Sequence, residues 1–142
     1  MRRTLTVLAF AAATAIACKG EAAPTDPKAL YRVEASAEPT SLEAGKSGTF
    51  RIAVRPNEGA EVKAETPFRA TLAGTGSVSV GKAELAYADN ARIEGKGPVF
   101  EIPFEAKAAG AGELEADLVF FVCTDEACLR TTDQVRVPVT VR

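Results

Sequence analysis

Two cysteines close an apolar run, Leu118-Val119-Phe120-Phe121-Val122-Cys123, and its polar continuation, Thr124-Asp125-Glu126-Ala127-Cys128. Thiols at this spacing support three chemistries: thiol–disulfide exchange, a structural disulfide, or half of a metal site. The polar tetrapeptide reads as a turn short enough to bring the sulfurs within bonding distance. Closing a loop of about six residues stabilises a fold by only roughly 2 kcal/mol in the chain-entropy picture. That is a modest return for a staple, so a reactive bridge is the leading expectation and a structural one the alternative. Metal binding is the weakest of the three. The chain has no histidine, its one methionine is Met1, and tetrahedral zinc needs four ligands. Without histidine, Ser-His-Asp and Cys-His catalysis are excluded as well.

The neighbouring charges bear on reactivity. Asp125 and Glu126 raise the pKa of either thiol by like-charge repulsion, and Arg130 opposes them from one side. A raised pKa makes a poor attacking nucleophile. The oxidised pair is therefore expected to be attacked by a partner's thiolate, or the reduced pair to act on a partner disulfide docked close by.

The beginning of the chain sets the compartment. Arg2 and Arg3 precede Thr4 to Ala17, an uncharged and mostly apolar stretch of signal-peptide length that is too short to span a membrane as a helix. It ends Ala15-Ile16-Ala17-Cys18. This resembles the bacterial lipoprotein signal, in which the cysteine is acylated and becomes the new N-terminus. An ordinary small-x-small cleavage site is the alternative. On the first reading residues 1–17 are removed, Cys18 carries lipid, and the odd cysteine of three is accounted for. Cys123 and Cys128 then lie in an oxidising compartment, periplasm-facing in the bacterial cell envelope, where a disulfide persists. Several acyl chains would hold the protein to a membrane where one anchors only marginally. Loss of the signal leaves 15 basic against 19 acidic residues, a net charge of −4. That balance, without a basic cluster, offers no footprint for nucleic acid, and no small-molecule cofactor or metal is implied.

The elements that must position the cysteines read almost wholly as strands. Lys19 to Lys28, with two prolines among small polar residues, is a tether, so residues 18–28 form the lipidated cysteine and linker and residues 29–142 the folded domain. Period-2 alternation marks strands at Tyr31–Ala37, Phe50–Val54, Phe68–Leu72, Phe100–Phe104, Leu114–Val122 and Val135–Val141, with short ones at Val78–Val80 and Leu85–Tyr87. Gly74–Gly76 and Gly110–Gly112 read as turns, neither leading into a phosphate-binding helix. Pro103 suggests an edge strand or a bulge. Glu113, Glu115 and Asp117 share one strand face and read as solvated. About eight short strands without a helical period predict an all-β, antiparallel immunoglobulin-like β-sandwich; a closed barrel is the alternative.

Strand parity makes a finer statement. If Phe120 and Val122 face the core, Val119, Phe121 and Cys123 face away from it. An outward apolar pair beside a sulfur suggests cover by a loop or contact with a partner. The other reading is a strand end buried on both faces. The irregular stretch Asp89 to Pro98 is the expected cap.

At these residues the chain resembles a family. An apolar strand, Val119-Phe120-Phe121-Val122, followed by Cys123, an acidic loop, Cys128 and a returning strand is similar to the N-terminal periplasmic domain of the thiol:disulfide interchange protein DsbD. The resemblance implies an immunoglobulin-like sandwich whose Cys123–Cys128 pair relays electrons to partner proteins beneath a cap loop. The loop is one residue shorter than the family's usual spacing, Leu129-Arg130 stands where a proline-rich continuation is common, and no membrane-spanning or thioredoxin domain accompanies it. The resemblance thus implies an external source of reductant: a thioredoxin-like or membrane electron-transfer protein. The contrasting expectation is a noncatalytic β-sandwich lipoprotein with a stabilising disulfide.

Overall fold

The computed structural model describes residues 26–142. The side chain of Asp26 accepts from the Lys28 N–H and caps a short 3-10 helix, Pro27–Leu30, so helical backbone reaches two residues into the stretch read as tether. Ten strands follow: β1 (Tyr31–Glu38), β2 (Ser41–Leu42), β3 (Ser47–Pro56), β4 (Arg69–Gly76), β5 (Val78–Val80), β6 (Glu84–Ala86), β7 (Arg92–Glu94), β8 (Gly97–Ala106), β9 (Gly110–Cys123) and β10 (Cys128–Val141). One sheet runs β1-β3-β8-β5, with β7 also paired to β8; the other runs β2-β10-β9-β4-β6. Every pairing is antiparallel except β2 with β10. With β1, β3 and β8 in one sheet and β4, β9 and β10 in the other, the division matches the ABE and CFG sheets of the immunoglobulin fold. The protein is the all-β sandwich that the strand pattern predicts, and it is not a closed barrel.

The eight expected strands are present, and β2 and β7 are additional. Two or three residues are too few to display a period, and both exist because a longer strand offers them backbone partners. Two expected turns are strand instead. Gly74, Gly76 and Gly112 lie within β4 and β9, where a Cβ on each would strike the backbone or side chains of the neighbouring strands. At Gly74 and Gly112 the missing Cβ serves close approach; Gly76 also has φ +63° where the chain leaves β4, a backbone that favours glycine. Pro103 sits on a strand paired on both sides, and its carbonyl accepts from the Gly81 N–H at 2.9 Å. Its imide nitrogen faces the same side, at the gap between β5 and β7, so no ladder bond is lost there.

The core fills from both inner faces. Phe50, Ile52, Val54, Phe100, Phe104, Leu114, Leu118, Phe120 and Val122 are fully buried. The aromatics gather near the cysteine end of β9. Phe68 stacks on Phe100 at 5.1 Å and lies 5.6 Å from Phe120, whose ring meets Tyr31 edge-on at 4.9 Å. The Tyr31 hydroxyl lies 3.0 Å from the Thr131 hydroxyl and donates to Asp133 Oδ2 at 3.0 Å. Burial, chiefly, pushes this phenol up to about 12. The bonds tie the start of β1 to the inner face of β10 across the sandwich.

Candidate functional site

The hairpin of β9 and β10 sets Cys123 directly opposite Cys128. The two are joined by a disulfide, with Cα atoms 3.9 Å apart. The backbone explains the fit. Both main-chain groups of Cys123 point away from β10 and bond Glu61, N–H to C=O and C=O to N–H, each at 2.8 Å. Cys123 and Cys128 are therefore a non-hydrogen-bonded cross-strand pair, the kind in which side chains approach most closely. The turn between them closes on its own groups. The Thr124 N–H donates to the Ala127 carbonyl at 2.8 Å, and the Thr124 hydroxyl accepts from the N–H groups of Glu126 and Ala127 at 3.3 and 3.4 Å. Asp125 and Glu126 are exposed and form no ion pair among the described residues.

The two ends of the bridge differ. Cys123 is 0% exposed, whereas Cys128 is exposed. Parity alone places both on the outer face of the second sheet. The difference comes from a segment distant in sequence, Ala60-Glu61-Val62, which lies along β9 beyond the start of β4. Ala60 and Val62 are buried while Glu61 and Lys63 stay partly exposed and pair at 3.5 Å. The Val62 N–H in turn donates to the Lys96 carbonyl at 2.9 Å. The expected cap is thereby corrected. Asp89 to Pro98 contains β7 and its tight turn into β8, and it backs the covering segment; the backbone that pairs with Cys123 is Glu61. The signal that would have found this cover is the small apolar alternation of Ala60 and Val62 within a polar loop, too short to read as a strand.

Val119 and Phe121 also lie on the outer face, half-buried. They line a groove of about 410 Å³ with Pro67, Phe68, Arg69 and Arg130. The groove exists because β4 begins only at Arg69, paired with Val119. Two residues earlier, where Phe121 would need a partner, stands Pro67, which has no N–H to give. Further along the same face, Glu113 and Glu115 face Arg136 at 3.7 and 3.8 Å, as a solvated strand face does. Among the described residues no group of three or more His, Cys, Asp or Glu is placed to hold a metal ion, and no helix is long and apolar enough to cross a membrane. The signal stretch, Cys18 and the tether up to residue 25 lie outside the described residues.

Chemically, the arrangement is a disulfide open to attack from one end. Cys128 is the exposed residue of the bridge, while the backbone of Cys123 is bonded to Glu61.

No protein-family model matches the sequence, and no curated protein matches it. Among solved structures the chain is similar to parts of alpha-2-macroglobulin from Escherichia coli. The native protein from domain MG7 to the C-terminus aligns over 80% of this chain and 17% of that one, at 16% identity and a TM-score of 0.49. The trypsin-activated form aligns over 78% and 7%, at 16% identity and a TM-score of 0.49. The native conformation seen by cryo-electron microscopy aligns over 78% and 6%, at 16% identity and a TM-score of 0.45. The chain thus spans less than a fifth of the length of each.

Proposed function

We propose that the protein is a thiol–disulfide exchange module of the bacterial cell envelope, anchored to a membrane by lipid on Cys18 and working through Cys123 and Cys128 in the manner of the DsbD N-terminal domain. The observation that carries the reading is the asymmetry of the bridge: an exposed Cys128 joined to a buried Cys123. A partner thiolate attacks Cys128 Sγ, the Cys123–Cys128 bond breaks, and its electron pair leaves on Cys123 Sγ, which takes up a proton. The partner's second thiol then resolves the mixed disulfide and releases Cys128 as a thiolate, which takes up the second proton. Two electrons and two protons pass from partner dithiol to module, and the reverse sequence hands them to a downstream disulfide. The partner in this reading is a thioredoxin-like or membrane electron-transfer protein, the class that the DsbD resemblance implies.

A reduction potential between roughly −120 and −270 mV supports exchange; a value below about −300 mV identifies a permanent bridge and overturns it. The second reading, a noncatalytic sandwich with a stabilising disulfide, draws on the burial of Cys123 and gains from that low value. Anchoring is tested separately: a Cys18→Ser variant loses membrane association, and unchanged partitioning refutes the anchor.

A further inference from the structure

The groove beside the disulfide has a chemistry of its own. Register sets Arg69 opposite Val119 and Arg130 opposite Phe121. The two guanidinium stems therefore leave the same sheet face as the two apolar side chains, one on each flank of β9. Both arginines are exposed, and neither forms an ion pair among the described residues. Arg32, Arg51, Arg55, Arg92 and Arg136 each face a carboxylate. Two uncommitted cations in a chain with more acidic than basic residues, framing an apolar floor, complement a ligand that is apolar and anionic together. The strip runs into the reactive pair: Phe121 lies two residues and Val119 four residues from Cys123, roughly 7 and 14 Å at about 3.4 Å per residue.

We infer that this strip is the docking surface for the segment flanking the reacting cysteine of an exchange partner, and that this segment is acidic and apolar. The inference rests on the exchange reading and names what the partner must look like. An extended chain advances at nearly the pitch of β9. Its carboxylates therefore fall two to four residues from its cysteine, over Arg130 and Arg69, with an apolar side chain between them over Phe121 and Val119. Carboxylate on guanidinium is directional as well as charged, so the contact orients the incoming sulfur toward Cys128. Asp125 and Glu126, beyond the bridge, repel the same carboxylates and fix which way round the segment lies.

The test uses two synthetic peptides, each with a single cysteine. One carries two Glu and a Leu within four residues of it; the other has Lys in place of Glu. Two peptide thiols become one peptide disulfide as Cys123–Cys128 is reduced, and the rate is read by alkylation and mass. Exposed ion pairs at two arginines support roughly a tenfold preference for the acidic peptide at low salt, falling toward one as salt screens it. The preference, taken as a ratio within each protein, should approach one in R69Q/R130Q and invert in R69E/R130E. Equal rates in the wild type, a preference for the basic peptide, or a ratio unmoved in both variants overturns the docking assignment, while the exchange reading stands. If neither peptide nor dithiothreitol reduces the pair at a potential above about −300 mV, the exchange reading itself fails and the docking strip falls with it.

Discussion

The outer faces of the two sheets are built from similar residues and end in opposite states. On the first sheet, Glu34, Arg55, Glu94, Arg51, Arg92 and Glu101 form a continuous chain of ion pairs. The guanidiniums hold the carboxyls of Glu34 and Glu94 below the usual range, and Arg55 and Arg92 are raised in return. Each charge has its counter-charge within the protein, so the face has little left to offer a partner. On the second sheet, near the bridge, Arg69 and Arg130 flank Val119 and Phe121, and neither forms an ion pair among the described residues. The difference teaches where interaction capacity resides: in the charges and apolar atoms that the fold leaves uncompensated, and here these adjoin the cysteine pair.

The contrast can be broken most forcefully on β9 itself, where neighbours face opposite ways. Phe120→Ala empties a core position against Tyr31 and Phe68 and should cost about 3–5 kcal/mol in denaturant unfolding. Phe121→Ala, half-buried at the groove, should cost well under half of that while slowing exchange. Equal losses would show that the outer position is core in disguise.

The next largest effect concerns the bridge. In a Cys123→Ser variant, Cys128 should form a stable mixed disulfide with a partner or with glutathione, whereas Cys128→Ser should trap at least about tenfold less, in line with the thiol's access. Comparable trapping by both variants would contradict the burial of Cys123. A Glu61→Pro change, which removes the N–H bonded to the Cys123 carbonyl, should speed alkylation of Cys123 in the reduced protein relative to Cys128.

Smaller effects follow from titration. The Tyr31 phenol is raised in the folded state to about 12 from 10.0. The folded protein therefore holds that proton where the unfolded chain releases it, and the contribution to stability is whole below pH 10 and declines as pH rises toward 12. Tyr31→Phe should flatten that alkaline decline, as measured by unfolding across the same range. Smallest of all is Glu94→Gln on the closed face. Its carboxyl is lowered from 4.5, so its contribution is present above that pH and lost as pH falls below it. The variant should weaken this acid dependence slightly, less so in high salt, and leave exchange unchanged. A change in exchange would mean that the closed face is not closed.

How much of this was legible in the sequence can be argued strand by strand. The long strands announce themselves because one face is buried and the other is not: Tyr31 to Ala37 alternates throughout, and Leu114 to Leu118 alternates up to the apolar run that leads to Cys123. The outward parity of Val119 and Phe121 was readable for the same reason. Strands β2 and β7 were not, because their formation depends on the offered edges of β10 and β8. Gly74 to Gly76 misled, since glycine permits both reversal and crowding and only the neighbouring strand decides between them. The cover over Cys123 is not legible in the sequence, because irregularity in Asp89 to Pro98 shows there while the bridge of Glu61 to Cys123 does not.

The sequence alone carried the all-β strand pattern, a four-residue turn short enough to let Cys123 and Cys128 pair, and the outward parity of Val119, Phe121 and Cys123. These follow from local periodicity and short-range chain closure, which act within a few residues. The tertiary structure alone decided that the two sulfurs are unequal, that Glu61 clamps one of them, and that Arg69 comes to stand beside Phe121. Those outcomes depend on backbone bonds and register between residues fifty or more positions apart, Arg69 with Val119 and Glu61 with Cys123, where pairing is set by which strands the folded core brings alongside.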